Sequence, residues 1–248
     1  NATTNSGTAN IQASNSGITI NMALATGEYT ITGGSGNDLL TGGGSNDKII
    51  GSQGNDTING GSGINTLSYE SASAGVTLDL SNATQQNTVG SGLDTISNFI
   101  NLTGSDQNDN LTGTNASNII NGGTGDDIIN AKGGTDTISG GSGNDTFNVT
   151  AGTDNISDLE TSDVLVVALG AIANVTNISN FVATGSTSNG GTANLTAGSS
   201  GSTITLTNSA SGGYTVTGGS GTDNITGGSQ NDIINGADLD KIDFTPLV

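Results

Sequence analysis

Aspartate recurs at nine-residue intervals along much of this 248-residue chain. In the longest series, Asp or Asn occupies seven successive ninth positions, and an apolar residue follows two positions after each. The series is Asp109, Asn118, Asp127, Asp136, Asp145, Asp154 and Asp163. Because a carboxylate offers only oxygen atoms, the chemistry that such a row could perform is the binding of hard cations.

Each aspartate follows a glycine-rich turn, seen most plainly in residues 122–130, Gly-Gly-Thr-Gly-Asp-Asp-Ile-Ile-Asn. Residues 33–41 and 140–148 repeat the same phrase. Glycine permits turn conformations that other residues avoid, and the apolar pair after the aspartate suits a very short strand. At a period of nine, successive turns fall on alternate edges of a flattened coil of about 18 residues. The pattern predicts an all-β parallel β-solenoid, or β-roll, interrupted by strand-rich spacers.

The coil places carboxylates of one edge close together. Asp38 and Asp56 are predicted to share one edge, with Asp47 on the other. Neighbouring strands lie ~4.8 Å apart, so bare carboxylates would repel by roughly several kcal/mol per pair at an effective dielectric near 20. A divalent cation between them removes that repulsion. Calcium suits the position because it accepts many oxygen ligands, whereas magnesium prefers a rigid octahedron and keeps its waters.

The composition excludes several other functions. Asp and Glu number 22 against three Lys, and the net charge of -19 argues against binding to nucleic acid or to an anionic membrane surface. Cysteine and histidine are absent, which disfavours zinc sites and the common nucleophile–base pairs. We therefore expect no enzyme within these residues. No stretch approaches the ~18 apolar residues of a membrane span, so no membrane insertion is expected.

The nine-residue phrase is discontinuous, and it divides the chain into six segments. These are a strand-rich segment, 1–31; a first run, 32–68; a spacer with one isolated repeat, 69–103; a second run, 104–167; a strand-rich spacer, 168–217; and a third run with a terminal cap, 218–248. A longer period lies over the short one, because residues 214–221 repeat residues 29–36 at an offset of 185. Segment 1–31 is accordingly interpreted as a partial copy of 185–216, which is typical of long tandem arrays.

The phrase is similar to the RTX nonapeptide, G-G-x-G-x-D-x-U-x, of calcium-binding parallel β-rolls. The resemblance covers about 32–68, 89–97, 104–167 and 218–235. It implies that several Ca2+ ions are bound by carbonyl oxygens of the glycine turns and by carboxylates. The implied carboxylate ligands are Asp38, Asp47, Asp56, Asp94, Asp109, Asp127, Asp136, Asp145, Asp154, Asp223 and Asp232. It also implies type I secretion and folding on meeting calcium outside the cell.

Some positions depart from the family pattern. Asn65 and Asn118 lack the charge, so their sites are predicted to be weak or empty. Asp163 has no glycines before it and is left out of the ligand set, and Asp158 lies off the ladder and is interpreted as a surface charge. The fourth-position glycine is replaced, with an expected distortion of the turn, at Ser45, Gln107, Ala116 and Gln230.

Three functional hypotheses stay open. The first is a structural segment of a bacterial surface adhesin, surface layer or extracellular fibre that calcium rigidifies and that could assemble with other copies of itself. The second is the C-terminal secretion domain of a type I-secreted enzyme or toxin, because the ending Asp243-Phe244 with Leu247-Val248 resembles some export signals. The third is binding of ice or glycan on a flat Thr/Asn face, although no regular outward Thr row is evident. The first two predict an extracellular or cell-surface location.

Overall fold

The computed structural model describes residues 8–88, 90–237 and 240–244. Every regular element in these residues is a β-strand, so the prediction of an all-β fold is confirmed. None of the described residues belongs to a helix that could span a bilayer. The chain forms two compact units, Asn1–Thr114 with Asn118–Gly125, and Asn115–Ser117 with Asp126–Val248.

The first unit is a parallel β-solenoid in which successive strands are laid on different sheets. Its strands are β1 (Thr8–Gln12), β2 (Thr19–Asn21), β3 (Glu28–Thr32), β4 (Leu39–Thr41), β5 (Lys48–Ile50), β6 (Thr57–Asn59), β7 (Thr66–Ser68), β8 (Thr77–Asp79), β9 (Gln86–Asn87), β10 (Leu93–Ser97), β11 (Asn101–Thr103), β12 (Asn110–Thr112) and β13 (Ile119–Thr124). Within this unit the strand orders are β1-β3-β5-β7-β11-β13, β2-β4-β6-β10-β9 and β8-β12.

The second unit has the same construction. Its strands are β14 (Ile128–Asn130), β15 (Thr137–Ser142), β16 (Thr146–Val149), β17 (Thr153–Ile156), β18 (Val164–Val167), β19 (Ile172–Ile178), β20 (Asn180–Val182), β21 (Ser188–Asn189), β22 (Thr192–Ala197), β23 (Thr203–Thr205), β24 (Thr215–Thr217), β25 (Asn224–Gly227), β26 (Ile233–Asn235) and β27 (Lys241–Phe244). Within this unit the strand orders are β15-β17-β19-β22-β24-β26, β14-β16-β18-β21 and β20-β23-β25-β27.

The apolar residue two positions after each aspartate forms the core. Leu40 pairs with Ile58 on one sheet, and Ile49 pairs with Leu67 on the other, so one coil takes 18 residues as predicted. All four side chains are completely buried. Each such burial contributes about 1.5–3 kcal/mol, and the stacking of equivalent residues from coil to coil provides a narrow continuous core within each unit.

Glycine at the fourth position of the phrase allows successive coils to approach. Gly54 and Gly92 have φ angles of 129° and 120°, a region that residues with a side chain rarely adopt. A Cβ atom on Gly54 would lie 2.3 Å from the carbonyl oxygen of Gly36 in the preceding coil. No positive φ is found at the substituted positions Ser45, Gln107, Ala116 and Gln230, and the fourth-position glycines Gly36 and Gly221 also lack one, so the expected distortion stays a prediction.

The two spacers behave differently. In the second unit the spacer strands β19, β22 and β24 continue one parallel sheet, and β20 begins a separate parallel sheet. The coils are slightly longer here, since Val175 pairs with Leu195 and Leu195 with Val216. In the first unit the chain leaves β7, lays down β8 as the first strand of a new sheet, and returns through β9 to place β10 against β6. The pairing of β9 with β10 is antiparallel. We call the segment between β7 and β10 the detour. It begins with Tyr69, whose side chain is completely buried.

Candidate metal centre

The repeated aspartates lie at the start of the strands with their carboxylates turned inward. In the first unit Asp38 and Asp56 precede β4 and β6, while Asp47 precedes β5 on the other sheet. In the second unit Asp127 and Asp145 likewise share one edge. The two-edge arrangement follows from the 18-residue coil. The aspartates that are at most 3% exposed are Asp38, Asp47, Asp56, Asp94, Asp109, Asp127, Asp136, Asp145, Asp154, Asp163 and Asp223; Asp232 is half-buried.

In most of the ladder aspartates, one carboxylate oxygen accepts a backbone amide of the neighbouring coil. The amide of Asp127 donates to Oδ1 of Asp145 at 2.9 Å, and the amide of Asp145 donates to Oδ1 of Asp163 at 2.8 Å. The same bond joins Asp38 to Asp56 at 2.8 Å. These bonds form an inner ladder, in which a carboxylate satisfies an N–H group of the preceding coil.

The second carboxylate oxygen closes the turn of its own coil. Gly34 donates its amide to Oδ2 of Asp38 at 2.7 Å, and Gly43 donates to Oδ2 of Asp47 at 2.6 Å. The donor stands four residues before the aspartate, at the second position of the phrase. The same bond is made at Asp109, Asp223 and Asp232. Amide donors of this kind favour the charged form of a carboxylate.

The residue before the aspartate forms an outer row. Asn55 donates its amide to Oδ1 of Asn37 at 2.9 Å, and Asn144 donates to Oδ1 of Asp126 at 2.8 Å. Here the amide of the later coil meets the side chain of the earlier one, which is the reverse of the inner ladder. Asp126 is exposed, as expected for the second acid of an Asp-Asp pair.

Asp154 departs from the ladder, and it supplies the sharpest test of metal binding. Its carboxylate oxygens are both buried and have no hydrogen-bond partner of normal length and angle. The amide of Asp136, one coil earlier, donates to the carbonyl oxygen of Thr153 instead. Burial, and next the carboxylate of Asp136, raise the pKa of Asp154 to about 8. At neutral pH this pair requires either a proton or a cation.

In other ladder aspartates, burial also disfavours the charged carboxylate, but to a smaller extent. Burial raises the pKa of Asp56 and of Asp163 to about 6. Burial is also the largest cause that raises the pKa of Asp145 and of Asp94. Desolvation disfavours the charged form of a carboxyl group. At these buried aspartates, the amide donors therefore do not fully compensate the negative charge of the carboxylates.

The donor chemistry fits calcium. Among the described residues, no three Asp, Glu, His or Cys side chains converge on one point. The carboxylates instead come in pairs from successive coils, such as Asp136 and Asp154. A cation between them would take most of its ligands from backbone carbonyl oxygens, and calcium accepts 6–8 oxygen ligands of these kinds. The residues present therefore fit the ion that the sequence pattern predicts.

The two asparagines of the ladder explain how a turn can close without a cation. Asn65 accepts the amide of Asp47 at 2.9 Å, as an aspartate would, but its Nδ2 group donates to the carbonyl oxygens of Ser62 and Asn98 at 3.3 and 3.1 Å. Asn118 similarly donates from Nδ2 to Ile100 at 2.6 Å. These amide hydrogens engage carbonyl oxygens that a metal would otherwise need.

The turn at Asp94 is closed by hydroxyl groups that contact the Asp94 carboxylate. Its Oδ1 accepts the amide of Asp56 at 2.9 Å, while Oδ2 lies 2.7 Å from the Tyr69 hydroxyl and 2.8 Å from Oγ1 of Thr88. Burial, and next the charge of Asp94, raise the pKa of Tyr69, so this hydroxyl keeps its proton and donates it. The Tyr69 ring lies against Gly51, where an added Cβ would meet it at 2.4 Å. The sequence pattern did not indicate Tyr69 or Thr88, because both belong to the non-repeating detour.

Two further aspartates occupy ladder positions outside the predicted ligand set. Asp163 is buried and accepts the amides of Asp145 and Glu160. Asp240 accepts the amide of Asp223 at 3.1 Å. The nine-residue spacing points to Asp163, although no glycines precede it. Asp240 stands one residue out of step, so a fixed period could not find it.

Asp158 was wrongly interpreted as a surface charge. It is half-buried, and its carboxylate accepts the amides of Gly140 and Gly141 and the hydroxyl of Ser139. It therefore caps a glycine turn of the preceding coil from outside the nine-residue register.

A parallel β-solenoid with paired, buried carboxylates in glycine turns defines a class of cation-binding repeat proteins. The family model for the RTX calcium-binding nonapeptide repeat (4 copies) matches this chain over about half of its length. The matched residues are 32–67, 103–138, 122–156, 131–165 and 215–238. The chain thus belongs to the RTX calcium-binding nonapeptide repeat family. A comparison with curated proteins finds no significant match.

Proposed function

We propose that this protein is a structural segment of a bacterial cell-surface or extracellular assembly, in the manner of an adhesin, a surface layer or a fibre, which calcium folds and rigidifies. The observation that supports it is the pair Asp136 and Asp154, whose buried charge has no compensating donor on Asp154. A protein that builds such pairs into both edges of a solenoid gains its rigidity from the ion that neutralises them.

The proposed ligands are the ladder aspartates. Most of them face an aspartate of an adjacent coil, while Asp47 faces Asn65 and Asp232 faces Tyr214. The set is Asp38, Asp47, Asp56, Asp109, Asp127, Asp136, Asp145, Asp154, Asp223 and Asp232, with Asp163 and Asp240 added from the geometry. Asp94 belongs to the sequence-predicted set, but its second oxygen already receives two hydroxyl groups. We propose that it closes its turn without a full calcium site.

Calcium would act by coupling binding to folding. Without the ion, carboxylates along each edge repel across the strand spacing, and the solenoid forms only where other donors compensate them. Extracellular calcium modules typically bind in the 10⁻⁴–10⁻³ M range, so such a chain would stay flexible before export and stiffen outside the cell. Bound calcium then stabilises the folded state by mass action.

The alternative is that the chain is the C-terminal secretion domain of a type I-secreted enzyme or toxin. The ending that suggested it includes Asp243 and Phe244, which belong to strand β27 and pair with β25. Residues 245–248 lie outside the described residues. A catalytic domain encoded upstream in the same gene would favour this alternative over the structural role.

Calcium titration followed by circular dichroism and calorimetry tests the proposal. The wild-type chain should convert to β-structure with calcium and bind several ions. Asp154→Asn should bind at least one fewer, and its metal-free form should be more stable, because a buried charge is removed. Asp126→Asn is the matched control, since this exposed residue keeps its acceptor oxygen and should leave both values unchanged. A wild-type chain fully folded in excess chelator would contradict the calcium role.

A further inference from the structure

The larger sequence period is also a structural period. The strands β1 to β5 correspond in order and sheet to β22 to β26. The hydrogen bonds repeat as well: Gly34 to Asp38 and Gly219 to Asp223 are both 2.7 Å, and Tyr29 to Asp47 and Tyr214 to Asp232 are 2.8 and 2.9 Å. The unit that repeats is therefore a set of coils of 184–185 residues, which we call the long repeat.

The pairing registers of the two copies agree. Asn10 pairs with Thr30 between β1 and β3, and Asn194 pairs with Thr215 between β22 and β24. Asn10 and Asn194 are thus equivalent positions. Register is specified residue by residue in a sheet with a buried face. The strand that pairs with one copy at this position therefore indicates which strand can pair with the other copy.

The two copies differ in what lies on their other side. In the second unit β22 is flanked by β19, where Asn174 pairs with Asn194 and Val175 with Leu195. Asn194 also donates its Nδ2 to Oδ1 of Asn174 at 2.9 Å. The equivalent strand β1 has only β3 as a partner within the described residues. Among the residues that the structure describes, its outer N–H and C=O groups thus form an open sheet edge, and such an edge can template another strand.

The core shows the same difference. Leu195, Ile204 and Leu206 are at most 1% exposed in the second copy. Their equivalents Ile11, Ile20 and Met22 are only half-buried. The first coil therefore presents an apolar end face that the second copy covers with the coil containing β19.

We propose that this end face, formed by β1 with Ile11, Ile20 and Met22, is the docking surface for a preceding copy of the long repeat. The strand equivalent to β19 in that copy adds to β1 in parallel, in the register that Asn174 and Asn194 display. The docking extends the solenoid without a new interface, because both surfaces already meet inside one chain. The inference rests on the structural role proposed above, and it specifies the partner as the repeat itself.

A tandem chain tests the proposal, with residues 1–184 placed directly before the complete chain 1–248 in saturating calcium. Thr19→Ser in the second copy, at an exposed side chain, gives its peptides a distinct mass in hydrogen exchange. Amides of residues 8–22 of that copy should exchange at least about tenfold more slowly than in the single chain, as expected when a frayed edge becomes an internal coil. Exchange at the single-chain rate would overturn the proposal.

A control variant identifies the docking strand. Val175→Pro in the first copy alone removes a ladder donor from the β19 equivalent, and it should return residues 8–22 of the second copy to fast exchange. Residues 32–68 of the first copy should stay protected, which shows that calcium folding is intact; fast exchange there would count against the calcium role instead. Concentration-dependent protection of residues 8–22 in the single chain would overturn the proposal in favour of end-to-end pairing between separate chains.

Discussion

Two regions of this protein use the same nine-residue phrase and treat its carboxylate in opposite ways. Around Asp136 and Asp154, the acids of successive coils face each other, and Asp154 has no amide or hydroxyl donor at normal hydrogen-bond length and angle. Around Asn65 and Asp94, the equivalent positions are closed by an asparagine amide and by the hydroxyl of Tyr69. We call the first the cation-requiring region and the second the self-satisfied region.

The comparison shows that the phrase alone does not set the need for calcium. The backbone of both regions follows the same 18-residue coil wherever the phrase is uninterrupted. What differs is whether a hydrogen donor or only another oxygen meets the buried carboxylate. A buried charge without a donor or a counter-ion is costly, so the need for metal is a property of each turn and its neighbours.

Removing calcium should separate the two regions most strongly. In excess chelator, peptides that contain Asp136 and Asp154 should exchange their amides at least about tenfold faster, because repulsion reopens these turns. Peptides at residues 57–69 and 93–103 should retain more protection. Hydrogen exchange with mass spectrometry measures both in one sample, and an equal loss of protection in the two regions would remove the distinction.

The pH dependence of the metal-free chain should follow the raised pKa values. Asp154 titrates at about 8 and Asp56 and Asp163 at about 6 in the folded state, against about 3.9 when unfolded. A raised carboxyl pKa favours folding while the group is protonated, so stability should be highest below about pH 4 and fall as the pH rises to 8. Urea unfolding in calcium-free buffer measures this. Saturating calcium should reverse the trend, because it binds the ionised form.

Asn65→Asp should convert a self-satisfied turn into a cation-requiring one. The change removes the amide donors to Ser62 and Asn98, so metal-free stability should drop by roughly 1–3 kcal/mol, while the calcium stoichiometry should rise. Calorimetric titration and chelator-based unfolding report the two effects. Asn55→Asp is the control, since its exposed side chain keeps the oxygen that accepts the Leu93 amide. Unchanged stoichiometry for Asn65→Asp would show that the local charge is not the determinant.

Tyr69→Phe should have the smallest effect of these tests, about 0.5–1.5 kcal/mol of lost metal-free stability, because one hydroxyl contact to Asp94 disappears while that of Thr88 stays. Tyr29→Phe is the matched control: its hydroxyl is buried and makes no hydrogen bond, so its removal should be neutral or slightly stabilising. Denaturant midpoints of the two variants give the comparison. Equal midpoints would mean that the Tyr69 hydroxyl does not close the Asp94 turn.

Much of the fold and part of the site could be predicted from periodicity. The spacing of Asp38, Asp47 and Asp56 indicated both edges of the coil, and the apolar beat indicated the core, because these features repeat locally. Asp163 and Asp240 were missed because a turn can hold its carboxylate without glycine or one residue out of step. Asp158 was misread because its partners, Gly140 and Gly141, lie a full coil away.

The sequence by itself determined the 18-residue coil, the inward aspartates and the long repeat. Each of these features follows from a regular spacing of residues, because stacked coils place equivalent residues at regular intervals along the chain. Only the tertiary structure decided which carboxylates are left without a donor. Tyr69 meets Asp94 through a detour that no period describes, and Asp154 loses its ladder bond because the Asp136 amide turns to Thr153. Compensation of buried charge depends on groups brought together by folding, and spacing along the chain does not encode it.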